Sequence, residues 1–341
     1  MSLLQQRKDD HLRICLEEDV DSGITAGFAE LRLEYDALPE LDLDDVDLSV
    51  GFLGKKLKAP ILIGSMTGGS DWAGDLNRRI ARVAAKFGVG MALGSQRAML
   101  KHPETTASFA VRDEAPELPL LIGNIGAVQL NYGVTHSDLN TLVESVQADG
   151  LFFHLNPLQE AIQPEGDTRF KNLLPQMKEA IEAMPFPCLV KEVGAGISER
   201  SARKLAELPI AAIEASGVGG TSWARVEGYR AEANSSFAML GERLKGFGVP
   251  TTQAIQHCRS AFPSRPVIGS GGIRTGMDVA LSIALGADIA ALARPVLEAA
   301  AKSEEALEEF FHNLIHELRV ICFCTGARTI RDLQNVRVLR K

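Results

Sequence analysis

Cysteine is scarce in this 341-residue chain, and the five present (Cys15, Cys188, Cys258, Cys322, Cys324) are an odd number with no C-x-x-C among them. That usage excludes a disulfide scaffold and points to reduced thiols. Cys322 and Cys324 form a lone C-x-C, too little to make a metal site. Long apolar runs are missing as well. Nothing approaches the roughly 20 residues that span a bilayer, and Arg7, Lys8, Asp9 and Asp10 interrupt the N-terminus before any signal-peptide core develops. Positive charge is not in excess, since the net charge is −8 with a pI near 5.5. This argues against a nucleic-acid or membrane-surface role and leaves an anionic ligand to a local cluster of cations. There is no G-x-G-x-x-G, no G-x-x-x-x-G-K and no H-E-x-x-H. His312 and His316 are four apart but read as a solvated helix face. The expectation is a cytoplasmic protein that acts on a small molecule.

What the chain does have is glycine at the ends of apolar runs. Residues 267–295 read as a strand, a turn with three glycines (Gly269, Gly271, Gly272), a helix, a second strand, and Ala293-Arg294-Pro295 opening another helix. Glycine lets backbone N–H groups approach a ligand closely, and a helix N-terminus adds a positive dipole end. A glycine pair alone is a tight turn. Two successive strand–turn–helix units converging on one anion resemble the last two units of a phosphate-binding (β/α)8 barrel.

The rest of the chain keeps that rhythm from Ala59 onward. Short, nearly continuous apolar strands are expected at 61–64, 89–93, 120–123, 151–154, 188–193, 211–215, 267–268 and 289–292. Helices are expected over 73–87, 104–114, 138–148, 170–184, 198–208, 251–261, 277–285 and 296–323. Eight strands buried on both faces make a parallel barrel. Residues 1–58 do not follow the rhythm. Residues 6–18 read as a charged helix, and 40–50 alternate apolar and acidic residues like an edge strand. The fold class is α/β: a (β/α)8 TIM barrel over 59–341 with an N-terminal extension, 1–58, contributing to the active-site lid. The basic tail (Arg328, Arg331, Arg337, Arg340, Lys341) reads as solvated or paired with a neighbouring subunit.

Polar residues collect where strands end. Ser65, Thr67, Ser95, Arg97, Asn124, His154, Asn156, Lys191, Ser216 and Thr221 all sit at or just past a strand's C-terminal end, which in such a barrel is the active-site face. Ser216 and Thr221 taken alone read as helix caps. Lys191 lies inside the strand, where a buried cation requires a partner such as a phosphate or an electron-rich ring. The densest stretch is His154-Leu155-Asn156-Pro157-Leu158-Gln159-Glu160. His154 and Asn156 alternate and so face the same way. A carboxylate beside a phosphate site invites Mg2+ held by one carboxylate and the phosphates, although Glu160 reads equally as a loop surface charge. Arg7, Lys8 and His11 share a helical turn, by itself a solvated face. With Arg97 and His154 they would make a second anion site, implying a phosphate-bearing cofactor and a phosphorylated substrate.

Nine motifs come in one order: RKDDH (7–11), SMTGGS (65–70), GSQR (94–97), GNIGA (123–127), HLNPLQE (154–160), KEVGAGIS (191–198), GVGGTSWARVE (217–227), SGGIRTG (270–276) and ARP (293–295). They resemble the type 2 isopentenyl-diphosphate Δ-isomerases, FMN-containing barrels that interconvert isopentenyl and dimethylallyl diphosphate. SGGIRTG is shared by many FMN barrels, whereas RKDDH with HLNPLQE is far more specific. The resemblance implies FMN contacts from Ser65, Met66, Thr67, Ser95, Asn124, Lys191, Ser216 and Thr221, with the phosphate on Gly271, Gly272, Ile273, Arg274, Ala293 and Arg294. It implies substrate contacts from Arg7, Lys8, His11, Ser95, Gln96, Arg97, His154, Asn156 and Gln159, and Mg2+ on Glu160. Gln159, Lys191 and His154 would carry the catalysis, NADPH would prime the flavin, and the chain would assemble as a homotetramer or larger.

Two other FMN chemistries fit less well. A 2-hydroxy-acid oxidase needs a histidine base with an arginine near the seventh strand, where only His257, on a helix, lies close. A nucleotide dehydrogenase needs a cysteine after the sixth strand, and none lies between Cys188 and Cys258. A flavin- or phosphate-binding module without turnover has little use for a carboxylate beside a neutral amide.

Overall fold

All eight expected barrel strands form, and apart from Leu155 every residue in them is buried. The computed structural model describes residues 3–341, with side chains from Gln6 onward. Helix α1 (Leu3–Glu17) comes first, then strand β1 (Leu31–Leu33) and a hairpin of β2 (Val50–Phe52) and β3 (Lys55–Leu57). The barrel units follow: β4 (Ile61–Ile63) with α2 (Asp71–Phe87), β5 (Gly90–Ala92) with α3 (Arg97–Lys101), and β6 (Leu121–Gly126) with α4 (His136–Glu144). Next are β7 (Gly150–Leu155) with α5 (Pro157–Ile162) and α6 (Leu173–Glu182), then β8 (Cys188–Glu192) with α7 (Glu199–Leu205). Strand β9 (Ala212–Glu214) leads into α8 (Trp223–Arg230), α9 (Ser236–Arg243) and α10 (Thr251–Ala261). The last units are β10 (Val267–Ser270) with α11 (Gly276–Ala284) and β11 (Ile289–Leu292) with α12 (Arg294–Lys302) and α13 (Glu304–Cys324). Helix α14 (Ile330–Leu333) and strand β12 (Val338–Arg340) follow. The eight strands close into one parallel barrel in the order β10-β11-β4-β5-β6-β7-β8-β9.

Strand alternation splits the core in two. Leu62, Ile122, Phe152, Leu189, Ile268 and Ile289 point inward and fill the barrel. Ile61, Ile63, Leu121, Phe153 and Val190 point outward against the helices. Phe52 and Leu57 of the hairpin belong to the inner cluster and close the barrel's N-terminal end. That leaves the C-terminal end for a site.

The expected edge strand over 40–50 does not form. Asp42 and Asp45 cap a short 3-10 turn instead, and Val46 and Leu48 are buried in the outer core. The helix expected over 104–114 is replaced by α3 and a 3-10 turn from Pro103 to Ser108. Pro116 and Pro119 then withhold N–H donors. The long terminal helix is two helices, because Ser303 caps a new start with its side chain accepting from Ala306 N. The basic side chains of the tail are exposed, as expected, while its backbone is held: β12 pairs antiparallel with β1, and Leu31 lies opposite Arg340. The described part of the N-terminal extension packs on the barrel, since Leu12, Ile14, Val20 and Phe28 share the outer core. Helix α1 lies against α2, α8 and α12.

Candidate active site

One cleft opens at the C-terminal ends of the strands, enclosing about 1650 Å³ of atom-free space with its mouth included. Every site residue named from the sequence lines it except Gln96. Gln96 caps α3 and turns under the loop: its Nε2 donates to Leu142 O at 2.8 Å, and its Oε1 accepts from Asn124 N at 2.8 Å. It is fully buried and stands behind the cleft wall. Six cationic side chains (Arg7, Lys8, Arg97, Lys191, Arg274, Arg294) face two carboxylates (Glu160, Glu214) along the lining. This is the local reversal of sign that an acidic protein needs to hold anions.

The glycines past β9 and β10 are required by close approach. Gly271 and Gly272 have φ of +104° and +67°. A Cβ on Gly271 would collide with Gly217 O, and one on Gly220 would stand 2.7 Å from Gly272 N. The cradle differs from expectation in one respect. The N-terminus of α11 is already satisfied, because Gly276 N donates to Glu317 Oε2 at 2.8 Å and Thr275 with Asp278 forms a capping box. The positive helix end offered to the cleft is that of α12, where Ala293 provides no side-chain cap. The Arg274 guanidinium sits on the rim, donating to Gly219 O at 3.2 Å and to Asp21 at 3.0 Å. Arg294 is held by Glu298 at 2.8 Å.

On the cleft floor, Ser65 Oγ and Thr67 Oγ1 are buried without a partner. A flavin's heteroatoms would satisfy them, so this floor and the glycine cradle fit FMN. Lys191 finds a partner within the chain that the sequence did not reveal: Glu214 Oε1 lies 3.6 Å from its Nζ, and Ser216 Oγ lies 3.4 Å away. Beside it, Glu192 Oε2 accepts from four successive backbone N–H groups, Val193 to Gly196, at 2.5–3.0 Å. That carboxylate shapes the loop after β8.

His154 is 9% exposed, and its Nδ1 lies 2.9 Å from Asn124 Oδ1. Burial, with Lys191 and Lys8 nearby, pushes its pKa down to about 3. The ring is therefore neutral, with Nδ1–H donating and Nε2 left as an acceptor. It adds no cation to the mouth, so the second anion site rests on Arg7, Lys8 and Arg97. Arg97 is paired with Asp167 at 2.5 Å. Lys8 Nζ donates to Ser95 O at 3.5 Å, and burial beside Arg7 and Arg97 lowers its pKa to about 7. Asp9 accepts from the α2 cap Ser70 at 2.5 Å, fastening α1 across the mouth.

Above the floor a buried carboxylate organises the lid. Glu227 is fully buried; it meets His11 Nε2 at 3.0 Å, Gln159 Nε2 at 2.8 Å and Arg230 at 2.5 Å. Oriented to suit its neighbours, the Gln163 amide also donates to it at 3.2 Å and accepts from Arg7 at 3.1 Å. Burial opposes the charge, yet His11 and Arg230 outweigh it and hold Glu227 down to about 2. His11 stacks edge-on to Trp223 at 5.1 Å. Glu160 accepts from Asn156 Nδ2 at 2.8 Å and from Asp167 N at 2.6 Å, and its burial raises its pKa. Among the described residues no three His, Cys, Asp or Glu side chains cluster as a metal site, and no helix is long and apolar enough to cross a membrane. His257 faces Ile197 O at 3.4 Å and does not line the cleft.

A closed parallel barrel with a glycine cradle and a polar floor defines an FMN-binding barrel, and the FMN-dependent dehydrogenase family matches residues 156–340. Solved structures give the same architecture. A lactate oxidase described as putative, from Pediococcus acidilactici, aligns with a TM-score of 0.72 at 18% identity, covering 98% of this chain and 92% of its own. A mandelate oxidase aligns at 0.69 with 16% identity, covering 99% and 97%. Much closer in sequence are isopentenyl-diphosphate delta-isomerases. That of a Synechococcus strain is 48% identical over 99% of this chain and 97% of its own length. Those of a Nostoc strain and Rickettsia felis are 46% and 45% identical, over 99% and 98% of this chain and 96% of each relative. The chain belongs to the isopentenyl-diphosphate delta-isomerase family, in its FMN-dependent form.

Proposed function

We propose that the protein interconverts isopentenyl diphosphate and dimethylallyl diphosphate, using reduced FMN on the cleft floor and Mg2+ at the mouth, with NADPH as the reductant. The observation that carries this reading is the stacking of two anion sites in one cleft. The Gly271–Gly272 turn and the α12 N-terminus supply one, and Arg7, Lys8 and Arg97, which line the same cleft, supply the other. The two sites suit a cofactor phosphate and a substrate diphosphate.

The double-bond shift needs a proton delivered to the terminal methylene and another removed from C2. An isolated alkene is a feeble base, so the transition state needs a strong acid and exclusion of water. Neither His154, neutral down to about 3, nor Glu227, ionised down to about 2, is that acid. Reduced FMN supplies the proton chemistry when bound. Lys191 places its charge on the cleft floor, where it favours an anionic ring. Gln159 is held between Asn156 and Glu227, which orients its amide toward the substrate; it positions the proton's path. Arg7, Lys8 and Arg97 clamp the diphosphate. Both Glu160 oxygens already accept hydrogen bonds, and a carboxylate retains further lone pairs. Mg2+ there would be completed by diphosphate oxygens and water. Helix α1 excludes bulk water. We expect a cytoplasmic homotetramer or larger, which light scattering would size.

The test is an anaerobic incubation of pure protein with isopentenyl diphosphate, Mg2+ and FMN, with and without NADPH or dithionite, followed by NMR in deuterated water. Dimethylallyl diphosphate should form only with reduced flavin. Bound, reducible flavin without product would refute the isomerase reading.

A further inference from the structure

Glu214, the last residue of β9, is a carboxylate on the cleft floor that the proposed reaction leaves without a task. It is 2% exposed and lines the cleft beside Lys191. Its two oxygens are treated very differently. Oε1 accepts from Ser216 Oγ at 3.0 Å and from Ser270 Oγ at 2.8 Å, and it faces Lys191 Nζ at 3.6 Å. Oε2 is sealed from solvent and has no hydrogen-bond partner. Ser270 Oγ also accepts from Ser216 N at 3.0 Å, so the two serines lock the carboxyl group in its orientation. A buried carboxylate with one oxygen saturated and the other orphaned costs free energy unless a ligand brings a donor.

The place of this oxygen limits what the donor is. The carboxyl group is held at its other oxygen among Lys191, Ser216 and Ser270, and it lines the cleft together with Gly217 and Gly271 of the phosphate cradle. Resting on the FMN reading above, the donor is an N–H or hydroxyl of the flavin itself. We propose that Glu214 is a further flavin-contacting residue, whose Oε2 accepts a hydrogen bond from bound FMN and whose charge offsets Lys191 beneath the ring. Lys191 alone would favour electrons on the flavin strongly; Glu214 at 3.6 Å tempers that preference and keeps the cation in place. Charge so close to the ring acts on its reduction potential, not only on barrel stability.

The experiment compares wild type, Glu214→Gln and Glu214→Asp, each loaded with FMN. The dissociation constant is read by fluorescence, and the two-electron midpoint potential by dye-linked titration. Glutamine removes the charge and must present its NH2 either to the serines and Lys191 or to the flavin donor. We expect at least tenfold weaker FMN binding and at least a tenfold gain in the reduced-to-oxidised ratio at fixed potential, a positive shift of about 30 mV. Aspartate keeps the charge but not the reach, so the potential should stay near wild type while FMN binding weakens. An unchanged potential and affinity in Glu214→Gln overturns the proposal. Should that variant fail to fold, wild-type FMN affinity in Glu214→Asp overturns it instead. Wild-type protein that binds no FMN would refute the flavin reading itself.

Discussion

Raising the pH should loosen diphosphate binding, and Lys8 sets by how much. Burial beside Arg7 and Arg97 holds its ammonium at about 7 in place of the ordinary 10.5. A diphosphate set against it supplies negative charge and returns the pKa toward the ordinary value. Ligand-free Lys8 therefore loses its proton as pH rises through 7, while the complex keeps it. Binding takes up a proton in that window, so affinity is flat below 7 and falls above it, by at most tenfold per pH unit. From pH 7 to 9 the dissociation constant should rise roughly 50-fold. A phosphate's own second ionisation, near ~6, lies below this window. The assay is calorimetry of a saturated, unreactive C5 diphosphate on FMN-loaded protein with Mg2+. Repeating it at pH 8 in buffers of different ionisation heats should show uptake of nearly one proton. Lys8→Met should bind more weakly and show no slope. The ligand-free fold has the matching signature. An unfolded Lys8 keeps its proton up to about 10.5 while the native one loses it near 7, so stability rises with pH between those values. A flat wild-type affinity from pH 7 to 9, or the same slope in Lys8→Met, would refute the reasoning.

Glu227→Gln removes the anion facing His11 and Arg230, and should cost about 3–5 kcal/mol in denaturant unfolding along with most turnover; wild-type stability would contradict its role. Gly271→Ala drives a Cβ into Gly217 O, so the purified variant should retain little flavin by absorbance at normal fold content. Glu160→Gln should raise the Mg2+ concentration needed for half-maximal rate, and an unchanged Mg2+ titration would count against that assignment.

The barrel was legible because each strand is a short apolar run that carries its polar residues at one end. Ser65, Ser95, Asn124, His154 and Lys191 could be placed on one face from spacing alone. The cleft's wiring was not legible in the same way. His11 and Glu227 are 216 residues apart in sequence, and no local pattern marks Glu227 in its helix. Glu214 had a signal that went unused: Ile213 belongs to the outer core, so strand alternation turns Glu214 toward the cleft. Gln96 stands apart from the lining for a local reason, since α3 begins at Arg97 and its cap residue turns beneath the loop. The acidic alternation over 40–50 misled only as to the strand: Asp42, Asp44, Asp45 and Asp47 are exposed, but Asp42 and Asp45 satisfy each other's backbone in a 3-10 turn.

The pairing of β1 with β12 bears on how the molecule is made. Glu34 N donates to Arg337 O at 3.0 Å and Lys341 N to Glu30 O at 2.9 Å, so a segment synthesised early waits for one synthesised much later. Helix α1 lies upstream of that waiting segment, and it carries Arg7, Lys8 and His11. A ribosome emits roughly 5–20 residues per second, so the first strand of this pair stands idle for many seconds while the barrel grows. Until β12 emerges, β1 has no strand to pair with, and the chain between α1 and the barrel lacks that anchor.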